Sequence, residues 1–361
     1  MFNFSQKIEL FPEKIICALH NEVGASLSTV FLDLSTNICN FDCYFCDSKF
    51  LPKQPQQFST ERLMQIADEL HQLNVDSVLL CGDGGEPFMH TGIVPLVRKL
   101  YNYGIHIGVY TNGSILREDI KEILPMFDFI RVSLNASDEQ THKLIHRYKQ
   151  ADYWKAIKEF VSSALTCNVN IGASFLILKE NYKEMYAVSR LSKQIGMNYI
   201  EFKPAYIVDY KLDSFMYEES VRQAIIEGYH ESISLQSDDF RVVPNNQLTD
   251  YLKGMTDITS SISQCRCVTS RLRLVISPSG CYLCTPYRGH TEYSIGNPQL
   301  SSIQEIWYGV RHRELWNLEC RYKCPYYEQN QVLLKFQKGE SSFAQHRNLI
   351  SKNATTQKSF L

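Results

Sequence analysis

The stretch Asn37-Ile38-Cys39-Asn40-Phe41-Asp42-Cys43-Tyr44-Phe45-Cys46-Asp47 carries three cysteines within eight residues. It directly follows the apolar run Thr29–Leu34, which reads as a β-strand. The Cys-x3-Cys-x2-Cys spacing lets one loop present three thiolates to a single metal centre. Structural zinc sites and electron-transfer iron–sulfur clusters normally take four protein ligands. Three thiolates therefore leave one metal position open to a substrate or a cofactor.

Two other readings of these cysteines fit the chain less well. A zinc site would need a fourth ligand nearby, and the nearest candidates, His20 and His71, lie well outside the loop. A disulfide framework is disfavoured because 12 cysteines in 361 residues is far below the density of small secreted scaffolds. The spacing thus favours an open metal centre.

Length and charge exclude several functional classes. A chain of 361 residues predicts two domains, or one large α/β domain with an appendage. The net charge of −2, from 37 basic and 39 acidic residues, predicts no nucleic-acid partner. No apolar stretch reaches the ~20 residues of a membrane span, and the N-terminus lacks a secretory signal pattern. We therefore expect a cytoplasmic protein without a membrane partner.

Between residues 29 and 203 the chain alternates short apolar runs with amphipathic stretches, as βα units do. The predicted strands are Thr29–Leu34, Ser77–Cys81, Ile105–Tyr110, Phe129–Leu134, Val169–Ile177 and Tyr199–Lys203. The predicted helices lie near 60–73, 92–103, 115–124, 152–166 and 182–195. Six strands joined in this way form either a partial barrel or a flat doubly wound sheet, and the pattern alone does not choose between them.

A glycine-rich loop, Gly82-Asp83-Gly84-Gly85-Glu86-Pro87, follows the second predicted strand. Consecutive glycines let the backbone approach a ligand closely, and a proline restricts the exit from the loop. A tight turn between a strand and a helix explains the same residues. The loop and the cysteine stretch both follow strands, where parallel α/β folds build their sites.

Together the two loops resemble the signature of the radical S-adenosylmethionine (radical SAM) enzymes, including the aromatic Phe45 before the last cysteine. The resemblance implies a partial (β/α)6 barrel. It also implies that a [4Fe–4S] cluster is held by Cys39, Cys43 and Cys46, with SAM on the fourth iron. The family's GGEP motif, which binds the amino group of SAM, corresponds to Gly84, Gly85, Glu86 and Pro87.

Weaker matches follow the later strands. Asn112 lies in a turn that resembles the family's TNG turn. Ser133 and Asn135 match positions that reach the SAM ribose and carboxylate, although the family usually has Asp where this chain has Asn135. Arg147 matches an arginine that pairs with the SAM carboxylate, and a surface arginine is the alternative. Ser174 is a further candidate for the ribose.

A second cysteine-rich segment resembles the SPASM/Twitch extension of some radical SAM enzymes, which binds auxiliary clusters. Its cysteines are Cys265, Cys267, Cys281, Cys284, Cys320 and Cys324. Six are too few for two full clusters, so the resemblance implies one auxiliary [4Fe–4S] cluster on Cys267, Cys284, Cys320 and Cys324. Cys265 and Cys281 are alternates, because the spacing after Gly280 is one residue shorter than usual. A four-cysteine zinc site is the rival.

The predicted domains are an N-terminal extension at 1–28, the partial barrel at 29–207, a helical linker at 208–262, a SPASM/Twitch-like domain at 263–330 and a polar tail at 331–361. We expect a 5′-deoxyadenosyl radical to abstract a hydrogen atom from the substrate, with an electron donor such as flavodoxin or ferredoxin. The auxiliary cluster would then accept an electron, giving dehydrogenation or a related oxidation. Epimerisation would result if a cysteine such as Cys81 or Cys167 donated hydrogen, although both are more simply read as small buried residues.

The substrate is predicted to be a small molecule, such as a carbohydrate or a secondary metabolite. Only 38 residues precede Cys39, too few for the leader-binding segment of many peptide-modifying members. A peptide maturase that forms a crosslink or a thioether is the alternative, and a non-catalytic electron-transfer or scaffold protein is the second. Substrate-side candidates, from position alone, are Lys203, Tyr206, Asp209 and Tyr210.

Overall fold

The computed structural model describes residues 12–19, 27–46, 54–150, 152–207, 211–254, 267–316 and 327–338. Its strands are β1 Thr29–Thr36, β2 Gln56–Gln57, β3 Ser77–Asp83, β4 His106–Thr111, β5 Phe129–Ser133, β6 Asn170–Ile177, β7 Tyr199–Pro204, β8 Tyr206–Ile207, β9 Lys211–Leu212, β10 Arg241–Pro244, β11 Arg273–Ser277 and β12 Gly280–Tyr282. The six strands predicted between residues 29 and 203 are confirmed.

The α-helices are α1 Pro12–Leu19, α2 Thr60–Gln72, α3 Ile93–Asn102, α4 Glu118–Ile123, α5 Glu139–His146, α6 Tyr153–Thr166, α7 Met185–Gln194, α8 Glu219–Ile233, α9 Asn246–Leu252, α10 Ile303–Trp307, α11 Val310–Leu315 and α12 Tyr327–Gln337. The five predicted helices are confirmed. Helix α5 was not predicted; it is short and largely polar, and it begins where the Asp138 side chain accepts a hydrogen bond from the Thr141 N–H.

The chain forms two compact units. Among the described residues, the first unit contains 12–19, 27–38, 54–109, 267–316 and 327–338. The second contains 39–46, 110–150, 152–207 and 211–254. No helix in these described ranges is both long and apolar enough to span a membrane.

In the first unit, β1 is the centre of a parallel sheet. It pairs with β3 on one side and with β11 on the other, and β3 pairs in parallel with β4. Val30, Leu32 and Leu34 are fully buried on one face of β1. Because side chains alternate along a strand, Asp33 and Ser35 lie on the opposite face. Asp33 stands in register with Cys81 of β3.

In the second unit, β5, β6, β7 and β10 pair in parallel in that order. The register aligns Ser133 with Ser174, and Ser174 with Glu201. Strand β10 lies within the segment predicted as a helical linker, so that segment also adds a strand beside β7. The parallel strands confirm the predicted α/β fold and are consistent with a partial barrel.

Helix α12 extends across residue 331, where the polar tail is predicted to begin. Its Leu333 is fully buried in a cluster with Ile15, Ala18, Val268 and Leu272. The Arg271 side chain strengthens this packing, because its Nη1 donates to the Ala18 carbonyl at 2.7 Å. Apolar side chains inside a polar stretch were therefore enough to fix a helix through residue 337. Residues 339–361 lie outside the described residues.

Candidate functional site

The cysteine loop belongs to the second unit, and the turn after β4 holds its first part. The Asn112 amide donates to the Asn40 Oδ1 at 2.9 Å and lies 3.8 Å from the Cys39 Sγ. Asn40 in turn donates to the Ser114 Oγ at 2.7 Å. Asn112, which lies in the turn that resembles the family's TNG turn, thus lies beside Cys39. Its contacts here are to the loop itself, and they fix the loop's backbone near the first thiol.

The second part of the loop is held by the C-terminal end of α5. The Asp42 N–H donates to the His146 carbonyl at 3.1 Å, and the Tyr44 N–H donates to the Ile145 carbonyl at 3.4 Å. Helix ends leave carbonyls without intrahelical partners, and the loop satisfies two of them here. A helix that the sequence pattern did not indicate therefore positions the middle cysteine.

His146 touches the loop directly through its side chain. Its Nδ1 lies 2.9 Å from the Cys43 Sγ, and its Nε2 lies 3.4 Å from the Asn135 Nδ2. The residue is 1% exposed. Burial, and to a lesser degree the neighbouring His142, hold the pKa of His146 well below its ordinary value, so the ring is neutral. Sequence reasoning missed this residue.

Three further predicted residues lie in the loop or beside it. The Phe45 ring meets the His146 ring edge-on at 5.3 Å, and the Arg147 guanidinium lies 5.1 Å from the Tyr44 ring centre. Arg147 ends α5 with φ at 51°, a left-handed conformation. Asn135 also has a left-handed φ, of 53°, and lies next to His146. Ser133 and Ser174 stand in register on β5 and β6, and the Ser174 carbonyl accepts a hydrogen bond from the Asn135 N–H at 3.3 Å.

The glycine loop belongs to the first unit and leaves no room for side chains. A Cβ on Gly85 would lie 2.3 Å from the Ser35 Oγ and 3.2 Å from the Ile38 carbonyl oxygen. The Glu86 N–H donates to the same Ile38 carbonyl at 3.0 Å. The Glu86 carboxylate accepts from the Phe88 N–H at 3.2 Å and caps the short turn Pro87–Met89. This carboxylate therefore makes one of its contacts within the loop itself.

The residues that the family resemblance assigns to a cluster and SAM fit those groups chemically. The loop offers thiols, which are the ligands of iron–sulfur clusters, and the described cysteines are thiols rather than disulfides. In the glycine loop, Gly85 packs so closely against Ser35 and Ile38 that a Cβ there would overlap them. Within the described ranges, no three Cys, His, Asp or Glu side chains converge on one metal position.

A buried charged group, not foreseen from the sequence, lies on β1 and β3 of the first unit. The Arg288 Nη1 donates to both Asp33 carboxylate oxygens, at 2.9 and 3.0 Å, and its Nε lies 3.9 Å from Asp83. The Cys81 thiol donates to the Asp33 Oδ1 at 3.2 Å. Burial raises the pKa of Asp33 to about 6, although Arg288 acts in the opposite direction. Burial also raises the pKa of Cys81, so that thiol stays protonated.

We expect this group to make stability depend on pH. Asp33 has an ordinary pKa of 3.8 when unfolded and about 6 when folded. The folded state holds the proton more tightly, so this contribution to stability is complete below the unfolded pKa and is lost as pH rises through about 6. Asp33→Asn removes that dependence, which urea unfolding at a series of pH values between roughly 4 and 8 would measure.

The exposed carboxylate Glu61 supplies the control, because Glu61→Gln should keep the wild-type pH dependence. If the free energy of unfolding of Asp33→Asn varied with pH as it does in the wild type, the assignment of this dependence to Asp33 would be contradicted.

In the second cysteine-rich segment, burial separates the two cysteines of the β12 region. Cys281 is fully buried, and its backbone pairs with Gly296. Burial raises its pKa, which opposes the thiolate form that a metal requires. Cys284 and Cys267 are both partly exposed. Accessibility therefore favours Cys284 over its alternate Cys281; Cys265, Cys320 and Cys324 lie outside the described residues.

A second charged group lies in the second unit, on the strands that carry the two aligned serines. Arg131, two residues before Ser133, bonds to Glu201, and its guanidinium lies 3.7 Å from the Tyr110 ring centre. The Lys203 Nζ lies 3.0 Å from the same Glu201 carboxylate. Burial and the Arg131 charge lower the pKa of Lys203. Two cations therefore share one carboxylate, and the lysine side chain is 29% exposed.

Of the four predicted substrate-side residues, the structure describes the side chain of Lys203. Asp209 and Tyr210 lie outside the described residues, as does the side chain of Tyr206. A cavity of about 330 Å³ in the same unit is lined by Lys179, Glu180, Tyr182, Lys183, Phe215, Glu218 and Val221. The Tyr44 hydroxyl of the cysteine loop donates to Glu180 at its edge.

The chain resembles known proteins both in sequence and in fold. Residues 34–191 match the model of the radical SAM superfamily. A protein of Saccharolobus islandicus named "Probable GTP 3′,8-cyclase" is 28% identical over 228 residues, covering 60% of this chain and 72% of the relative. A protein of the same name from Sulfurisphaera tokodaii is 25% identical over 225 residues, covering 60% and 69%.

Two solved structures share the fold. Streptococcus suis SuiB bound to its precursor peptide SuiA has a TM-score of 0.64 and 13% identity, covering 85% of this chain and 71% of that one. The anSMEcpe protein with bound AdoMet has a TM-score of 0.59 and 14% identity, covering 89% and 94%. A match to the radical SAM superfamily model implies an enzyme with a [4Fe–4S] cluster and SAM. The chain therefore carries a radical SAM domain, at residues 34–191.

Proposed function

We propose that this protein is a radical SAM enzyme that removes a hydrogen atom from a small molecule bearing an anionic group. The observation that carries the proposal is the three-thiol loop Cys39–Cys46, anchored by Asn112 on one side and by α5 on the other. When bound, the cluster and SAM supply a 5′-deoxyadenosyl radical, which takes a hydrogen atom from the substrate. The protein's part is to orient these groups and the substrate.

Each binding task falls to residues with suitable chemistry. The backbone carbonyls of Gly84 and Gly85 are assigned to the SAM ammonium, because glycines let a ligand approach the backbone closely. The hydroxyls of Ser133 and Ser174 suit the ribose, since they stand in register on neighbouring strands. The Arg147 guanidinium suits the SAM carboxylate.

The anionic group of the substrate is assigned to Lys203 and Arg131. Two cations face one carboxylate there, so the group has one positive charge in excess. Lys203 lies on β7 two residues beyond Glu201, which is aligned with the ribose candidate Ser174. The relatives' name supports a small anionic substrate, because GTP is a nucleoside triphosphate. A peptide substrate is supported by likeness of fold alone, to peptide-bound structures such as that of SuiB.

We further propose an auxiliary cluster on Cys267, Cys284, Cys320 and Cys324. The partial exposure of Cys267 and Cys284 supports their assignment. The chemistry it would supply is removal of one electron from the substrate radical, which gives a net two-electron oxidation with flavodoxin or ferredoxin as the external donor. A four-cysteine zinc site would instead leave only one cluster in the protein.

The test is anaerobic reconstitution of the full chain followed by dithionite and SAM. We expect 5′-deoxyadenosine to form, and its absence would contradict the proposed enzyme. Iron analysis distinguishes about eight irons for two clusters from about four for one.

The anion assignment has its own test. Calorimetry with GTP and with inorganic tripolyphosphate as probes should detect binding that Lys203→Gln weakens by about 10–100-fold, because a hydrogen bond to a charged group contributes about 1.5–3 kcal/mol. The control is Lys158→Gln, which changes an exposed lysine of α6. Equal weakening in both variants, or binding that neither variant alters, would contradict the assignment while leaving SAM cleavage intact.

A further inference from the structure

Cys43 is linked by hydrogen bonds to the backbone of a strand far along the chain. The link passes through His146 and Asn135 and reaches the Leu176 N–H on β6, with separations of 2.9, 3.4 and 2.7 Å. His146 and Asn135 are both nearly fully buried, at 1% and 3% exposure. The arrangement is therefore shielded from water, which would otherwise compete for each contact.

The orientation of the Asn135 amide is determined by its neighbours. The Leu176 N–H can only donate, so the Asn135 oxygen accepts it at 2.7 Å. The backbone carbonyl of Asn135 is also engaged, because it accepts from the Asn181 amide at 2.7 Å. The amide nitrogen of Asn135, which has only hydrogens to offer, therefore points toward the His146 Nε2.

This orientation selects one tautomer of His146. Since Asn135 donates to Nε2, that nitrogen must carry the lone pair. In a neutral imidazole the proton then lies on Nδ1, which is 2.9 Å from the Cys43 Sγ. The hydrogen bond consequently runs from the histidine N–H to the cysteine sulfur, and the sulfur is the acceptor. A thiolate has no proton to donate, so a cysteine that ligates a metal as a thiolate can only accept such a hydrogen bond.

We propose that His146 is a positioning residue for the cluster, which donates an N–H···S hydrogen bond to Cys43 and is held in the donating tautomer by Asn135. Such a bond stabilises negative charge on the sulfur, so it favours the reduced cluster and raises its reduction potential. Asn135 thereby has a role that differs from the ribose contact predicted for it. This inference rests on the proposed cluster at Cys39, Cys43 and Cys46.

The chain contains a matched comparison on the same helix. His142 lies one turn before His146 on α5, and its ring is also buried. Its Nδ1 faces the Tyr148 hydroxyl at 3.1 Å, and its Nε2 has no hydrogen-bond partner among the described residues. A His142 substitution therefore disturbs the same helix and the same aromatic cluster without removing a donor to Cys43.

The experiment is a redox titration of the reconstituted full chain, following by electron paramagnetic resonance the cluster signal that changes when SAM is added. We expect His146→Phe to shift the reduction potential of this cluster to a more negative value. His146→Asn places an amide N–H near the position of Nδ1, so its potential should lie close to the wild-type value. His142→Phe should leave the potential at the wild-type value. Equal potentials in the wild type and in His146→Phe, or equal shifts in both Phe variants, would overturn the proposal.

A measurement on the wild-type protein covers the case in which His146→Phe does not fold. Protein labelled with ¹⁵N-histidine should show nitrogen coupling to the reduced cluster, together with an exchangeable proton that is lost in D₂O. A cluster without either coupling contradicts the role of His146 alone. A protein that binds no iron contradicts the proposed function instead, so the two failures are distinguishable.

Discussion

Changing Cys39, Cys43 or Cys46 to alanine is expected to abolish reductive SAM cleavage. Each is one of only three protein ligands that the loop can offer, so no spare thiolate in the loop replaces it. Changes to residues around a metal ligand typically lower metal affinity or activity by about 10–100-fold, and loss of a direct ligand has a larger effect. We therefore expect the rate of SAM cleavage to decrease by more than about 100-fold. The measurements are 5′-deoxyadenosine formation and iron content after anaerobic reconstitution.

The control for this prediction is Cys167→Ala. Cys167 is also partly exposed and lies in the same unit, but its thiol donates to the Ser163 carbonyl at the end of α6. We expect wild-type iron content and SAM cleavage in that variant. In the loop variants, iron should fall by about half if an auxiliary cluster is present and to near zero if it is not. A loop variant that still cleaves SAM at the wild-type rate would remove the basis of the proposed function.

Gly82→Ala is expected to disrupt the glycine loop and with it the binding of SAM. A Cβ at this position would lie 2.2 Å from the Gly85 carbonyl oxygen and 2.4 Å from its carbon. Both are backbone atoms, so no side-chain rotation relieves the overlap, and the loop itself must move. Overpacking of this kind costs about 1–3 kcal/mol. The dissociation constant for SAM, measured by equilibrium dialysis, should rise at least about 10-fold.

The control is Gly104→Ala, which introduces backbone strain without the steric overlap expected in Gly82→Ala. Gly104 has a φ of +70°, but a Cβ there would meet no atom within 4 Å. That substitution should cost about 1–2 kcal/mol of stability through the left-handed conformation alone and leave SAM affinity unchanged. If Gly82→Ala binds SAM as tightly as Gly104→Ala, the close packing of the glycine loop is not needed for binding.

Much of the fold was predictable because its signals are local. Apolar runs such as Ser77–Cys81 and the spacing of Leu63, Ile66 and Leu70 along α2 reveal strands and helices over a few residues. Helices α5 and α12 were not found in this way. Helix α5 carries few apolar residues, and α12 is fixed by packing of Leu333 against residues more than 300 positions earlier, such as Ile15.

The residues of the candidate site differ in the same way, because some belong to local motifs and others meet only after folding. The thiolates and the glycines are consecutive along the chain, so their motifs could be recognised from spacing. The contact of His146 with Cys43 spans 103 residues, and that of Arg288 with Asp33 spans 255. No local pattern marks such pairs, because they depend on which strands and helix ends become neighbours after folding.

By itself, the sequence determined the α/β alternation, the three-thiol loop and the glycine loop, since each depends on residues close together in the chain. Only the tertiary structure decided which nitrogen of His146 faces Cys43, that Glu86 caps its own turn, and that Cys281 is buried while Cys284 is partly exposed. These features follow from the direction and burial of individual side chains. Packing between distant segments sets both.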